Sequence, residues 1–288
     1  NALTADTQGD NSVAIGNNAL FTQNGVNGNV YNVAVGKNAG FAITTGLRNT
    51  LIGGLAGDAL TDSDDNVAIG QTALGTDTLG SKSTAIGRAA LATQNFTSAT
   101  DTYNTAVGFQ AGEAVTTGVQ NTLVGGLAGD SLTDADFNIA VGFDALAGDT
   151  KGSKSTAVGR SALSSQNFTS ATDTFNTALG YFAGAAVTTG TDNVFIGGLA
   201  GDGTDDGANN VAVGFQALSA NCQDGNTAVG RKTLLACTGN NNTALGDLAG
   251  FAVTSGSNNI YLGKEAGRTG SPGGNQTDGS NEIGFGDE

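Results

Sequence analysis

Glycine returns along this chain on a fixed beat. Taken as the residue that closes a short apolar run, it falls at 16, 36, 53, 70, 87, 108, 125, 142, 159, 180, 197, 214, 230, 246, 263 and 284, sixteen times in 288 residues. Most intervals are 17 residues, and the order 17, 17, 17, 21 occurs twice running. A super-repeat of 72 residues follows, over 36–107, 108–179 and 180–251. Repetition on this scale constrains the architecture before any single element is read. A unit this short buries its apolar residues only against its neighbours.

The positions within a copy have distinct roles. Four residues before the glycine stands Asn in twelve copies and Ser in four. Val or Thr follows, then usually Ala, then Ile, Val or Leu, as in Thr105, Ala106 and Val107. Short β-favouring runs bounded by Asn and Gly read as strands. Glycine at nearly every turn argues against helix. The expected fold is therefore all-β, a β-solenoid of about sixteen rungs of 16–21 residues. Stacked at ~4.8 Å, sixteen rungs would extend roughly 75 Å. The Asn column is placed to form an amide ladder, or to close each turn, or both. The whole of 1–288 reads as one repeat region, with 264–288 as a C-terminal cap or link.

Composition agrees with a regular object built from small residues: 47 Gly, one Pro, and no Met, Trp or His. A net charge of −15 disfavours nucleic acid and anionic membrane surfaces. No apolar run approaches the ~18 residues of a membrane span, and the first residues do not read as a secretory leader.

Alternation along "NTAVG" sets Thr105 and Val107 on one face and Ala106 on the other. Both faces are small or apolar, which a strand half exposed to water avoids. One face lines the coil, and the other calls for a cover. A second copy of the chain would supply it, so an oligomer about a shared axis is expected.

The segments "NSVAIGNNAL" and "KSTAIGRAAL" resemble the head repeats of YadA-like trimeric autotransporter adhesins, and runs such as "NTAVGFQAG" are similar to repeats in phage tail fibres. The resemblance covers almost the whole chain. It implies a left-handed parallel β-roll, a homotrimer, and adhesion to a cell-surface receptor or glycan, at a bacterial surface or on a virion. The rung here is longer than the family's, so longer loops are expected. No stalk or anchor pattern is seen in these residues, which keeps both a phage fibre and an adhesin head open.

Chemistry-bearing residues are few. Without His, a Ser–His or Cys–His nucleophile pair is excluded, and the chain is not expected to be an enzyme. The alternative is a tailspike-like enzyme that degrades polysaccharide with paired carboxylates. Asp62, Asp64, Asp65, Asp134 and Asp136 lie in acidic loops and offer oxygen ligands for Ca²⁺, although no EF-hand pattern is present. The 21-residue rungs carry inserted stretches bearing Phe96 with Tyr103, and Phe168 with Phe175, read as receptor contacts if exposed and as edge cover if folded back. Cys222 and Cys237 fall in adjacent 16-residue rungs, where rung spacing suits a disulfide. Ice binding is disfavoured because Val freely replaces Thr on the repeated face.

Overall fold

The computed structural model describes residues 1–7, 9–24, 28–267 and 278–286, and every regular element among them is a β-strand. The chain divides into two units, Asn1–Phe143 and Asp144–Glu288. Each is a parallel β-solenoid. In the first, three-residue strands recur at Val13–Ile15, Val33–Val35, Thr50–Ile52, Val67–Ile69, Thr84–Ile86, Thr105–Val107, Thr122–Val124 and Ile139–Val141. In the second they recur at Thr156–Val158, Thr177–Leu179, Val194–Ile196, Val211–Val213, Thr227–Val229, Thr243–Leu245, Ile260–Leu262 and Ile283–Phe285. Within each unit successive strands pair in register, as Thr105 with Thr122 and Val211 with Thr227.

The repeated glycine is dictated by two constraints. Gly125 has φ +141, a region essentially closed to residues with a Cβ. A Cβ there would also lie 2.3 Å from the carbonyl oxygen of Gly142 on the next rung. Other corners use left-handed backbone at residues with side chains, such as Gln120 (φ 57) and Leu127 (φ 59). Such conformations are uncommon and are held here by bonds between rungs: Gln120 N–H donates to Thr102 O at 2.7 Å, and Leu127 N–H to Phe109 O at 2.9 Å.

The buried Asn column is a directional ladder. Asn32 Oδ1 accepts the Asn49 N–H at 2.8 Å, and Asn49 Oδ1 accepts the Asn66 N–H at 3.0 Å. Along most of the column the Nδ2 donates to a carbonyl of the following rung, as Asn49 to Ser63 O at 2.7 Å and Asn193 to Gly207 O at 2.9 Å, whereas the buried Nδ2 of Asn210 has no partner among the described residues. In the second unit the ladder runs through Asn176, Asn193, Asn210, Asn226, Asn242 and Asn259. Both sequence readings of this column therefore hold: the amides climb the stack and fasten its turns.

Inside the coil, the middle residue of every three-residue strand after the first is buried, Ala14 of the first being half-buried. Where it is Ala, the residue four past the rung's glycine is Leu or Gly; where it is large, that position is Gly on its own rung and on the one before. Leu51 lies between Gly40 and Gly57, Leu123 between Gly112 and Gly129, and Phe195 between Gly184 and Gly201. The large side chain fills the space that the glycines on its own and the preceding rung leave open, as dense packing requires.

The longer rungs carry a buried polar cluster and an extra two-residue strand pair. Gly80–Ser81 pairs with Thr100–Asp101, and Gly152–Ser153 with Thr172–Asp173. Asp77 Oδ1 accepts the N–H groups of Gly80 and Phe96, each at 3.0 Å, while Oδ2 accepts Gln94 Nε2 at 2.6 Å. Gln94 Nε2 also donates to Ser83 Oγ at 2.8 Å, and Asn104 Nδ2 donates to Gln94 Oε1 at 2.9 Å. Ser stands in the Asn column here because its hydroxyl pairs with Thr102 Oγ1 at 2.6 Å and leaves room for Gln94. Asp149, Gln166, Ser155 and Asn176 repeat the cluster. A third version, Asp6, Gln23, Ser12 and Asn32, occupies the first rungs, where Gly9–Asp10 pairs with Gly28–Asn29.

The last rung differs from its expected register. Gly284 pairs with Tyr261 in mid-strand, so Gly286 rather than Gly284 continues the glycine column, and Glu282 rather than Ser280 ends the Asn column. The Tyr261 ring explains this: a Cβ on Gly284 would lie 2.9 Å from its Cδ1. Much of the expected cap, 268–277 and 287–288, lies outside the described residues.

Candidate interaction face

Because the middle residue of each three-residue strand points inward, its two neighbours point out. The outer face of the sheet is thus a double column of Thr, Val, Ile and Leu. In the first unit Val13, Ile15, Ile52 and Ile139 are exposed on it; in the second, Leu179, Ile196, Leu245, Ile260, Leu262, Ile283 and Phe285. Two further columns flank it. One, just before the Asn ladder, carries Tyr31, Tyr103 and Phe137 in the first unit and Phe175 in the second. The other, just past the repeated glycine, carries Phe109 and Phe143 in the first and Tyr181 and Phe215 in the second. Among the described residues, every large hydrophobic side chain that is exposed belongs to one of these columns. Contiguous apolar surface of this kind marks an interaction site.

Cations stand over the flanking rings. Lys82 Nζ lies 5.2 Å from the Tyr103 ring centroid and Lys154 Nζ 5.3 Å from that of Phe175. Arg88 lies 5.3 Å from the centroid of Phe109, and Arg160 5.7 Å from that of Tyr181. Lys82 also pairs with Asp101, and hydrogen bonds from Lys82 to Asp101 and Tyr103 hold its ammonium above the ordinary lysine range.

The receptor-contact residues separate into two kinds. Tyr103 and Phe175 are exposed on the flanking column, at 53% and 52%. Phe96 and Phe168 are not available, each being 7% exposed, and the folded-back alternative applies to them. The buried aspartate of the polar cluster fixes them: the N–H of Phe96 is bound by Asp77 and that of Phe168 by Asp149.

The five aspartates read as Ca²⁺ ligands each have partners within the protein. Asp62 Oδ1 accepts the Thr45 hydroxyl at 2.6 Å, and Asp64 Oδ1 accepts the Leu47 N–H at 2.8 Å. Arg48 pairs with Asp64 at 3.2 Å and with Asp65 at 2.6 Å. Its hydrogen bond holds the Asp65 carboxyl below the usual carboxylate range. Asp134 accepts the Thr133 hydroxyl, and Asp136 accepts the Val119 N–H at 2.8 Å. Among the described residues no group of three or more His, Cys, Asp or Glu gathers to hold a metal ion.

The expected disulfide is not formed. Cys222 and Cys237 are both free and buried. Cys222 Sγ lies 3.2 Å from Thr204 Oγ1, and Cys237 Sγ accepts Asn242 Nδ2 at 3.3 Å. Burial pushes the Cys222 thiol up to about 12 and raises that of Cys237.

The flanking column past the repeated glycine was missed in the sequence because its residues vary: Lys37, Gly54, Gln71, Arg88, Phe109, Gly126 and Phe143 succeed one another in the first unit. Its signal is the position rather than the residue type. No helix among the described residues is long and apolar enough to cross a membrane. Comparison with family models, curated proteins and solved structures finds no match for the chain.

Proposed function

We propose that this chain is the β-solenoid segment of a trimeric surface fibre whose task is attachment to a cell or other surface. One observation carries the reading: in each unit the outer strand face leaves apolar side chains exposed, Ile52 and Ile139 in the first and Ile196, Leu245 and Leu262 in the second. A soluble chain that keeps such a surface uncovered is prone to associate, and a copy of itself presents a complementary apolar face. The acidic balance of the remaining surface keeps the assembly dispersed. Three copies, a left-handed coil and an extracellular or virion setting follow from the likeness to YadA-like heads and phage fibre repeats. Function then resides in rigidity and display, consistent with the absence of His from the sequence.

Light scattering of the purified chain tests this. The expected native mass is three times 28.3 kDa. Replacing Ile52 and Ile139 by Asp should dissociate the assembly. A monomeric wild-type chain at micromolar concentration would overturn the trimer.

A further inference from the structure

The column just past the repeated glycine contains a recurring arrangement that self-association does not account for. In residues 1–143, Phe109 and Phe143 stand two rungs apart, with Gly126 on the rung between them. In residues 144–288, Tyr181, Gly198 and Phe215 repeat the pattern. All four rings are about half exposed.

The intervening glycines are not required by the backbone. A Cβ on Gly126 would lie 3.5 Å from Phe143 Cδ2, and one on Gly198 would lie 3.6 Å from Phe215 Cδ2, both ordinary van der Waals distances. Neither glycine has the positive φ of its predecessor in the chain. What they supply is a floor without a side chain between two ring-bearing positions, with the ring of the following rung at its edge.

Rung spacing of ~4.8 Å separates the ring-bearing backbone positions on alternate rungs by about 9.6 Å. A β-1,4-linked glycan advances about 5 Å per sugar and turns the same face outward every second sugar, so its apolar ring faces recur on nearly the spacing of alternate rungs. Arg88 over Phe109 and Arg160 over Tyr181 place hydrogen-bond donors for hydroxyls at one end of each strip. The net charge of −15 disfavours an anionic polysaccharide.

The geometry points to two glycan-binding strips, Phe109–Gly126–Phe143 and Tyr181–Gly198–Phe215, each taking a neutral β-1,4-linked glycan laid along the stacking direction. This rests on the attachment reading and gives it a ligand class. The first super-repeat has the floor, Gly54, between Lys37 and Gln71, and so lacks the rings.

Calorimetric titration of the full chain with cellohexaose and chitohexaose tests the inference, with α-1,4-linked maltohexaose as the control whose coil breaks the spacing. A β-linked hexaose should bind, and the F109A/F143A/Y181A/F215A variant should bind it at least tenfold more weakly. The Gly126→Leu/Gly198→Leu variant, which keeps the rings and fills the floor, should also lose binding. No binding of either β-linked sugar, or equal binding of maltohexaose, overturns the proposal. So does a change in native mass in the four-ring variant, because the rings would then be subunit contacts. A monomeric wild type that still binds the sugar would sink the trimer alone.

Discussion

The ring of Phe195 occupies the space that a side chain at Gly201 would need: a Cβ there would lie 2.4 Å from the ring carbons. Leu218 holds the equivalent place on the next rung with φ 55, so the backbone at Gly201 (φ 61) accepts a leucine and only the ring forbids it. Gly201→Leu should therefore cost about 1–3 kcal/mol by overpacking. Combining it with Phe195→Ala and Gly184→Leu converts the pair of rungs to the Ala/Leu type and should recover most of the loss. Urea denaturation of the single and triple variants checks this; a triple variant no better than the single one would refute the volume exchange.

Adjacent glycines should respond in opposite ways. Gly125→Ala meets both a forbidden φ and a carbonyl oxygen 2.3 Å away, and should cost several kcal/mol or prevent folding. Gly126→Ala should stay within about 0.5 kcal/mol of the parent, as a surface change does. Thermal melts of the two variants side by side give the answer.

The Asp77 carboxylate holds three donors in the polar cluster. Asp77→Ala leaves the Gly80 and Phe96 N–H groups and Gln94 Nε2 without their acceptor, and should destabilise by about 3–5 kcal/mol. Asp149→Ala in the second unit should behave alike, since it removes the same partners. Denaturant midpoints that hardly move in both variants would exclude the cluster as a source of stability.

Burial lifts the Asp58 and Asp202 carboxyls above the ordinary range. With a folded pKa raised above the unfolded value of about 3.9, their contribution to stability is full below that pH and is lost as pH rises through the folded pKa. Asp65, held low by Arg48, has the opposite sign: its contribution is present above the unfolded value and lost as pH falls through the folded one. The Asp58→Asn/Asp202→Asn variant should gain melting temperature at pH 7 and little at pH 3. Arg48→Gln should lose it at pH 7 and little at pH 3. Equal shifts at both pH values would exclude titration as the cause.

Both thiols should resist alkylation in the native protein. With its thiol near 12, Cys222 is a thiolate only about one part in ten thousand at pH 8, and both cysteines are buried. Iodoacetamide followed by mass spectrometry should add no label to the folded chain and two after unfolding without reductant. Failure to label the unfolded chain would restore the disulfide.

Much of this fold is legible in the sequence because each constraint repeats. The glycine of Gly125 is required by its φ and its neighbour's carbonyl, the Asn column by its ladder, and the small middle strand residue by the narrow interior. Legibility fails where a rung answers to a neighbour rather than to the average. Gly284 looks like the repeated glycine, yet it faces the core because Tyr261 fills the space beside it. Phe96 and Phe168 look like display residues until the buried Asp77 and Asp149 bind their N–H groups. Ser83 looks like a weak Asn, but its short side chain is what admits Gln94. The Phe109 and Phe143 column escaped notice because rings alternate there with glycine.

The glycine–large–glycine pairing in the interior also limits how such a gene can change length. Losing only the rung of Ala34 would set Leu20 against Leu51 where Gly40 now stands. Losing only the rung of Leu51 would leave Gly40 opposite Ala68, with nothing to fill the gap. Removing both together rejoins Leu20 to Ala68, a junction of the kind already made by Leu74 and Ala85. The rungs of Ala34 and Leu51 should therefore be gained or lost together, whereas an Ala–Leu rung such as that of Ala68 and Leu74 can go singly, since Gly57 would then meet Ala85 as it now meets Ala68.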